Sequence, residues 1–305
     1  MSSPMRSSLM NEHNSSARRA EAPTWRALVR AAATALDNVN EALILAEEAA
    51  DVPRASLVLA FDSCPGTKVR ARFRALTDAR RRGAPLQHVV GHWGFRGLDL
   101  IVDGRALVPR PETELTVEVA LAALGTLRSP AEQALGVDLG TGSGAIACSL
   151  VAELATVRVV ATDCSSGALE VAASNRARLD PADASRVELR LGDWYGALDP
   201  VIAGHVDLVV ANPPYLAASE WYGLDPVVRD FDPAQALVAG PSGREAIEEI
   251  LRGAPAWLSP GAAVVVEIAP HQAREAAAFA SGCGARRIDV RRDLAGRDRV
   301  IVARW

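Results

Sequence analysis

Val206-Asp207-Leu208-Val209-Val210-Ala211 runs directly into Asn212-Pro213-Pro214-Tyr215, and this stretch decides the fold. An unbroken apolar, β-branched run predicts a parallel strand buried on both faces. Two prolines then stop it, because proline has no N–H to donate to a ladder. The strand therefore delivers an amide side chain, proline carbonyls and an aromatic ring to its carboxyl end. In open α/β sheets ligands bind at that end. A planar nitrogen carrying N–H donors needs acceptors held in its own plane. The Asn212 side-chain oxygen and the Pro213 carbonyl are such acceptors, and Tyr215 offers a flat face for stacking. A capping Asn before a proline turn explains the same four residues, so the rest of the chain must decide.

Upstream, Leu135-Gly136-Val137-Asp138-Leu139 leads into Gly140-Thr141-Gly142-Ser143-Gly144 and an apolar helix from Ala145 to Leu154. Glycines let the backbone approach a ligand closely, and a helix N-terminus offers free N–H groups. The next strand, Val157 to Thr162, ends at Asp163, an acid placed to accept both hydroxyls of a ribose. Strand Val187–Leu191 ends in Gly192-Asp193-Trp194, an acid and an indole suited to an adenine. The glycine turn, with Ala145 as its last small residue, also fits a dinucleotide fingerprint. Alone it does not separate NAD from other adenosine ligands. Helices are predicted at Ser165–Ala177, Arg244–Trp257 and Gln272–Phe279, and a strand at Ala262–Ile268. A final antiparallel pair, Arg286–Arg291 and Arg299–Ala303, turns around Gly296. The alternation predicts an α/β, Rossmann-like, doubly wound sheet of about seven strands.

The first part of the chain reads differently. From about Thr24 to Arg82 the apolar spacing is helical, with Pro53 and Pro65 as breaks, which predicts a small helical bundle. Lys68, Arg70, Arg72, Arg74, Arg80, Arg81 and Arg82 form a basic stretch that suits either an acidic partner or a solvated helix face. From Pro85 to Val108 the period becomes two. Val89-Val90 and Leu98-Asp99-Leu100-Ile101-Val102 read as strands of a hairpin around Gly91, Gly94 and Gly97. His88 and His92 have no carboxylate or Cys cluster beside them and read as hydrogen-bonded histidines. Pro109-Arg110-Pro111-Glu112-Thr113-Glu114 precedes a helix from Leu115 to Leu124, with Pro111 or Thr113 at its start and two acids at its positive end. The rigid lead of two prolines exceeds what capping requires.

A chain of 305 residues suits two domains. Its net charge of −4 provides no global basic field for nucleic acid. Lys68 is its single lysine. Cys64, Cys148, Cys164 and Cys283 make no CxxC pair, so no metal centre is expected and the thiols read as reduced, in a cytoplasmic protein. Residues 1–20 are Ser-rich and lack the apolar region of a signal peptide. They are expected to form a disordered tail, with Met5 or Met10 as an alternative start. No apolar run reaches the length of a membrane span.

With these pieces assembled, the chain from about residue 25 to its end resembles the class I S-adenosylmethionine-dependent methyltransferases. More narrowly it is similar to the peptide chain release factor N5-glutamine methyltransferases. The resemblance is carried by Pro85-Leu86-Gln87-His88 with Gly91, Phe95 and Gly97, by Leu107-Val108-Pro109-Arg110-Pro111-Glu112-Thr113-Glu114, by the Asp138–Gly144 loop and by Asn212-Pro213-Pro214-Tyr215. Val228-Arg229-Asp230 with Pro233, Ala236 and Leu237 fits as well, as does Asp293-Leu294-Ala295-Gly296-Arg297 with Arg299. It implies a helical substrate-recognition domain at 21–84, a β-hairpin linker at 85–108 and a methyltransferase domain at 109–305. It implies S-adenosylmethionine contacts at Gly140, Thr141, Gly142, Ser143, Gly144, Asp163, Trp194 and Asn212, and glutamine contacts at Asn212, Pro213, Pro214 and Tyr215. Asn212, Pro213 and Tyr215 are its expected catalytic group. Three departures stand out: Gly104-Arg105-Ala106 where Pro-Gly-Val is common, Ala269 where Gly is usual and Arg244 in place of a frequent Leu. None is expected to touch the chemistry.

The implied reaction is methyl transfer to the side-chain amide nitrogen of a glutamine in a release factor. An adenine-N6 methyltransferase acting on DNA or RNA would use the same tip on an exocyclic amine, but the acidic balance and the absence of a backbone-binding domain weigh against it. A related glutamine methyltransferase with another protein substrate is the nearer alternative. An NAD-dependent oxidoreductase leaves the Asn-Pro-Pro-Tyr tip without a role. A non-enzymatic binding module leaves the intact glycine loop, Asp163 and Asn212 without one. No sequence-specific nucleic-acid partner and no membrane are expected.

Overall fold

A computed structural model describes residues 22–127 and 132–305. The tail expected at residues 1–20 lies outside the described residues. The chain divides into two compact units, the first ending at Thr77 and the second spanning Asp78–Trp305.

The described part of the first unit is helical: α1 (Trp25–Leu36), α2 (Val39–Ala50), α3 (Arg54–Leu59) and most of α4 (Thr67–Arg81). Its ends are set by short polar side chains. The Thr24 hydroxyl accepts from the Ala27 N–H, and the Asn38 side chain accepts from Asn40 and Glu41. Asp37 and Asp51 close α1 and α2 in the left-handed region, at φ 51° and 55°. Trp25 meets Phe73 edge-on, with ring centroids 5.7 Å apart, over a core that includes the fully buried Leu45 and Leu57. The basic stretch does not make one face. Successive residues of α4 are about 100° apart, so Lys68 and Arg72 share a side that Arg70 and Arg74 do not. Arg72 pairs with Glu48, and Arg70 donates to the Pro65 carbonyl at 2.6 Å.

In the second unit, α5 (Leu86–Val90) occupies the position where Val89-Val90 suggested a strand. Pro85 fixes the entry, and Gly91 at φ 85° ends the single helical turn. The hairpin follows as β1 (His92–Phe95) and β2 (Leu98–Ile101). It is not a free linker: Phe95 and Leu100 are buried in the same core as the large sheet.

The sheet has seven strands: β3 (Ala134–Leu139), β4 (Val157–Asp163), β5 (Val187–Leu191), β6 (Val206–Ala211), β9 (Leu258–Glu267), β10 (Arg287–Arg292) and β11 (Asp298–Arg304). The short β7 (Leu216–Ala217) and β8 (Val238–Gly240) pair with each other. The order is β10-β11-β9-β6-β3-β4-β5, with β11 antiparallel to both neighbours and the rest parallel. All six residues of β6 are buried, as its composition predicts. Leu208 and Val210 face one core with α6 (Pro111–Leu127) and α7 (Ala145–Glu153), while Val209 and Ala211 face the other. That second core takes in α11 (Glu245–Gly253) and α12 (Ala273–Gly282). Asp207 is the polar exception. It sits where the β6–β9 register shifts, and its carboxylate accepts from the Leu135 N–H at 3.0 Å and the Ser259 hydroxyl at 2.7 Å. The chain reverses its order of laying down strands between β3 and β6. Ligands are expected at such a switch point.

Candidate active site

Strand register builds the site. Leu139 pairs with Ala211 on one side and with Thr162 on the other. The next residue of each strand is Gly140, Asn212 and Asp163, so the three tips leave the sheet side by side. They open into a cleft enclosing about 920 Å³, including its solvent-open mouth. Gly140, Thr141, Gly142, Ser143, Asp163, Trp194, Asn212 and Pro214 all line it.

The glycine turn is left-handed at Gly140 (φ 70°) and Gly142 (φ 56°), where a side chain would be strained. A Cβ added at Gly142 meets no atom within 4 Å, so the turn presents bare backbone to open space. At Gly140 an added Cβ would come within 3.3 Å of the Trp194 ring, which lies over it. Trp194 itself has φ 39°, a conformation a bulky residue adopts only under compensation from its surroundings. The Asp163 carboxylate pins the turn: one oxygen accepts from Gly142 N–H and the other from Ser165 N–H, each at 2.8 Å. Each oxygen keeps a further lone pair. Burial nevertheless pushes this carboxyl up, against those two hydrogen bonds.

Beneath the turn, Asp138 is completely buried. Its Oδ2 accepts from the Thr141 hydroxyl at 2.6 Å and from the Ala147 N–H at 3.2 Å, while Oδ1 has no partner among the described residues. Desolvation pushes its pKa up to about 7. The sign follows from proton linkage. A carboxyl raised in the folded state stabilises the fold in its protonated form, and that stability is lost as pH rises through about 7. Asp163, Asp232 and Glu267 are raised too, and His88 is lowered from 6.5, which acts oppositely at mildly acid pH. Only a comparison isolates Asp138. An asparagine side chain at this position cannot ionise, so Asp138→Asn is expected to lose less stability than the wild type between mildly acid and mildly alkaline pH. Urea midpoints of both proteins at the two pH values check this, and parallel changes would refute it.

Asn212 is oriented from behind. Its Nδ2 donates to the Thr113 hydroxyl at 3.1 Å, which leaves the side-chain oxygen as the free end. The other expected site residues lie off the cleft wall. Gly144 is buried, and a Cβ there would come within 3.2 Å of Ala172, so this glycine serves the packing of α7 against α8 (Ser166–Arg176). Pro213 is buried. Tyr215 is half-buried and packs against the second core. Its backbone is held at both ends, with Tyr215 N–H donating to the Leu237 carbonyl and Gln272 Nε2 donating to the Tyr215 carbonyl. In this structure Tyr215 braces the tip.

Sequence reasoning passed over other residues that shape the cleft. Arg105 and Ala106, a departure expected to be remote, are part of its wall. Arg105 is tied to Asp103 at 2.6 Å and to Glu170 at 2.7 Å. The Ala269 departure is harmless, because φ −69° and ψ 143° suit any residue. Asn175, 1% exposed, exchanges hydrogen bonds with the Ile101 N–H (2.6 Å) and carbonyl (3.0 Å), and donates to the Ser143 carbonyl at 2.9 Å. It joins the hairpin to the glycine turn. Asn175→Ala leaves those backbone groups without their partner, so a loss of about 2–3 kcal/mol in unfolding free energy is expected. Denaturant unfolding measures it, and a loss below about 0.5 kcal/mol would show that the bridge is replaced by water.

Comparison with known proteins gives a consistent picture. Residues 25–91 match the model of the PrmC N-terminal domain, and residues 120–223 match that of the methyltransferase small domain. A release factor glutamine methyltransferase of Cereibacter sphaeroides is 41% identical over 279 residues, which cover 91% of this chain and 95% of that protein. The chain belongs to the release factor glutamine methyltransferases. The relative of that name from Xylella fastidiosa is 37% identical, covering 92% of the chain and 98% of the relative. Among solved structures, the catalytic domain of hMettl16 in complex with MAT2A 3′UTR hairpin 6 aligns over 78% of the chain and 81% of its own length. Its TM-score is 0.53 at 14% identity, a likeness of fold alone.

The cofactor of this family is S-adenosylmethionine, and the cleft fits it. Asp163 presents spare carboxylate lone pairs for a diol, Trp194 a flat apolar surface, and Gly142 an open backbone position a ligand can approach. Ile146, Leu107 and Val108 supply apolar wall for the remainder.

Proposed function

We propose that this chain transfers a methyl group from S-adenosylmethionine to the side-chain amide nitrogen of a glutamine in a peptide chain release factor. The observation that carries the reading is the Asn212 side chain, fixed by Thr113 with its oxygen free, on the strand adjacent to the glycine turn. When bound, the cofactor supplies an electrophilic methyl on a cationic sulfur. The chain's own residues then have a positioning task, because the lone pair of an amide nitrogen is delocalised. Asn212 Oδ1 and the Pro213 carbonyl accept the two amide hydrogens, Pro214 borders the group, and Tyr215 keeps the tip from moving. Held in this way, the nitrogen faces the methyl out of the amide plane, where the rate gain from fixed geometry is largest. The amide proton leaves to water after the new N–C bond forms, and no side-chain base is required. Gly140, Thr141, Gly142, Ser143, Asp163 and Trp194 are the proposed cofactor contacts.

The test is methyl transfer from labelled cofactor to a purified release factor, with duplex DNA and RNA assayed in parallel. Label in the protein, mapped to one glutamine, supports the reading; label only in nucleic acid overturns it. The site of action that follows is the cytoplasm, where release factors work; no described helix is long and apolar enough to cross a membrane.

The helical first unit is proposed to recognise the release factor, on the strength of its separate core and its exposed basic residues. Arg74 is one of these. Arg74→Glu is expected to raise KM for the intact release factor several-fold without changing KM for a short glutamine peptide. Equal KM values for the intact factor would remove this surface from recognition.

A further inference from the structure

We propose that Thr113, together with Glu267, is a positioning relay that turns the Asn212 side-chain oxygen toward the substrate amide. The inference rests on the glutamine-methylation reading, and it assigns a task to the Pro-Glu-Thr segment that capping does not explain. Thr113 lies in the first turn of α6, and Thr116 lies one turn on, along the same face. Both are buried, at 4% and 0% exposure, and both face the Glu267 carboxyl at the end of β9, itself 1% exposed. Thr116 donates to Glu267 Oε2 at 3.2 Å, and the Thr113 hydroxyl lies near enough to the same carboxyl to favour its ionised form.

Proton bookkeeping then fixes the orientation of Asn212. A hydroxyl has one proton to give and lone pairs to receive with, whereas an ionised carboxylate only receives. With Glu267 ionised, the Thr113 proton is drawn to it, and what remains toward Asn212 is a lone pair. Only the NH₂ end of the Asn212 amide can meet a lone pair, and it does so at 3.1 Å. A flipped amide would set oxygen against oxygen. The side-chain oxygen is thus committed to the cleft, away from Thr113. Burial pushes the Glu267 carboxyl up to about 7, while the two threonine hydroxyls and Arg299, 7% exposed, favour its ionised form, so this orientation belongs to the protein above that pH.

Two variants of Thr113 separate a relay from packing. Valine keeps the shape and removes the hydroxyl; serine keeps the hydroxyl and removes the methyl. In single-turnover methylation of the release factor, Thr113→Val is expected to lower the rate constant by about 10- to 100-fold, the scale of small misplacements of a reacting group. KM for the release factor and cofactor affinity should stay near wild type. Thr113→Ser should retain most of the rate, and Thr113→Val should cost nothing further in an Asn212→Ala background. Valine performing as well as serine, or a full penalty in the Asn212→Ala background, would overturn the relay. A wild-type chain that methylates no release factor would instead sink the proposed function. The relay is then read in the unliganded protein: Thr113→Val and Asn212→Ala must be non-additive in denaturant unfolding, and additivity would overturn it.

Discussion

Asn212→Ala is expected to reduce single-turnover methylation of the release factor by about 100-fold or more. Cofactor affinity should change far less. The expectation follows from which half of the site the residue serves. The Asn212 amide is anchored through Nδ2 to Thr113, and its oxygen, on a residue that lines the cleft, is the proposed acceptor for the substrate amide. Alanine removes that acceptor and admits water, while the glycine turn and Asp163 stay intact. The nitrogen can still enter but is no longer aimed. Asn212→Asp separates the contributions further. An aspartate keeps two acceptor oxygens but has no N–H for Thr113, and it adds a negative charge near a cationic cofactor. Tighter cofactor binding with slow turnover is expected. The paired measurement is calorimetry with the cofactor and single-turnover transfer on folded variants. Near-normal turnover of Asn212→Ala would reduce the residue to a strand-end cap and end the proposed mechanism.

Asp163→Ala is expected to act on the other half, weakening S-adenosylmethionine binding by about 1.5–3 kcal/mol, roughly 10- to 150-fold. Two causes converge on this carboxylate. Its spare lone pairs are the proposed acceptors for the ribose, and its occupied ones hold the Gly142 and Ser165 N–H groups at 2.8 Å. Alanine therefore removes a ligand contact and releases the left-handed turn at Gly142. Asp163→Asn retains one carbonyl acceptor and should fall between the two. Titration calorimetry on folded protein decides the matter: unchanged affinity in Asp163→Ala would remove the residue from the cofactor site.

Much of the architecture could be read before the structure because its signals are local. The β6 run, the glycine turn after Leu139 and the acid after Thr162 each sit within a few residues of the element they end. Parallel pairing then brings those tips together without further information. What escaped reading is held by long-range contacts. Asn175 meets Ile101 across 74 positions, and Thr113 meets Asn212 across 99. In sequence these are an ordinary helix residue and an ordinary cap. Leu86–Val90 misled for the opposite reason. Two adjacent valines favour a strand, yet Pro85 and Gly91 bracket a single helical turn there. Tyr215 was legible as an aromatic at a strand tip, but its packing against the second core depends on helices that come later in the chain. Arg105 was legible only as a departure from a pattern, because its place in the cleft wall depends on how the segment after the hairpin folds back.

The alignment of Leu139 with Ala211 has a consequence for how this enzyme can evolve. On the proposed assignment the donor and acceptor halves hang from adjacent strands, whose tips are spaced by a hydrogen-bonded ladder, about 4.8 Å. The sheet acts as a ruler between the two strand tips. A lineage can therefore rewrite the segment beyond Pro214 to take a different nitrogen without recalibrating the distance over which the methyl travels. Innovation in substrate is uncoupled from the geometry of transfer.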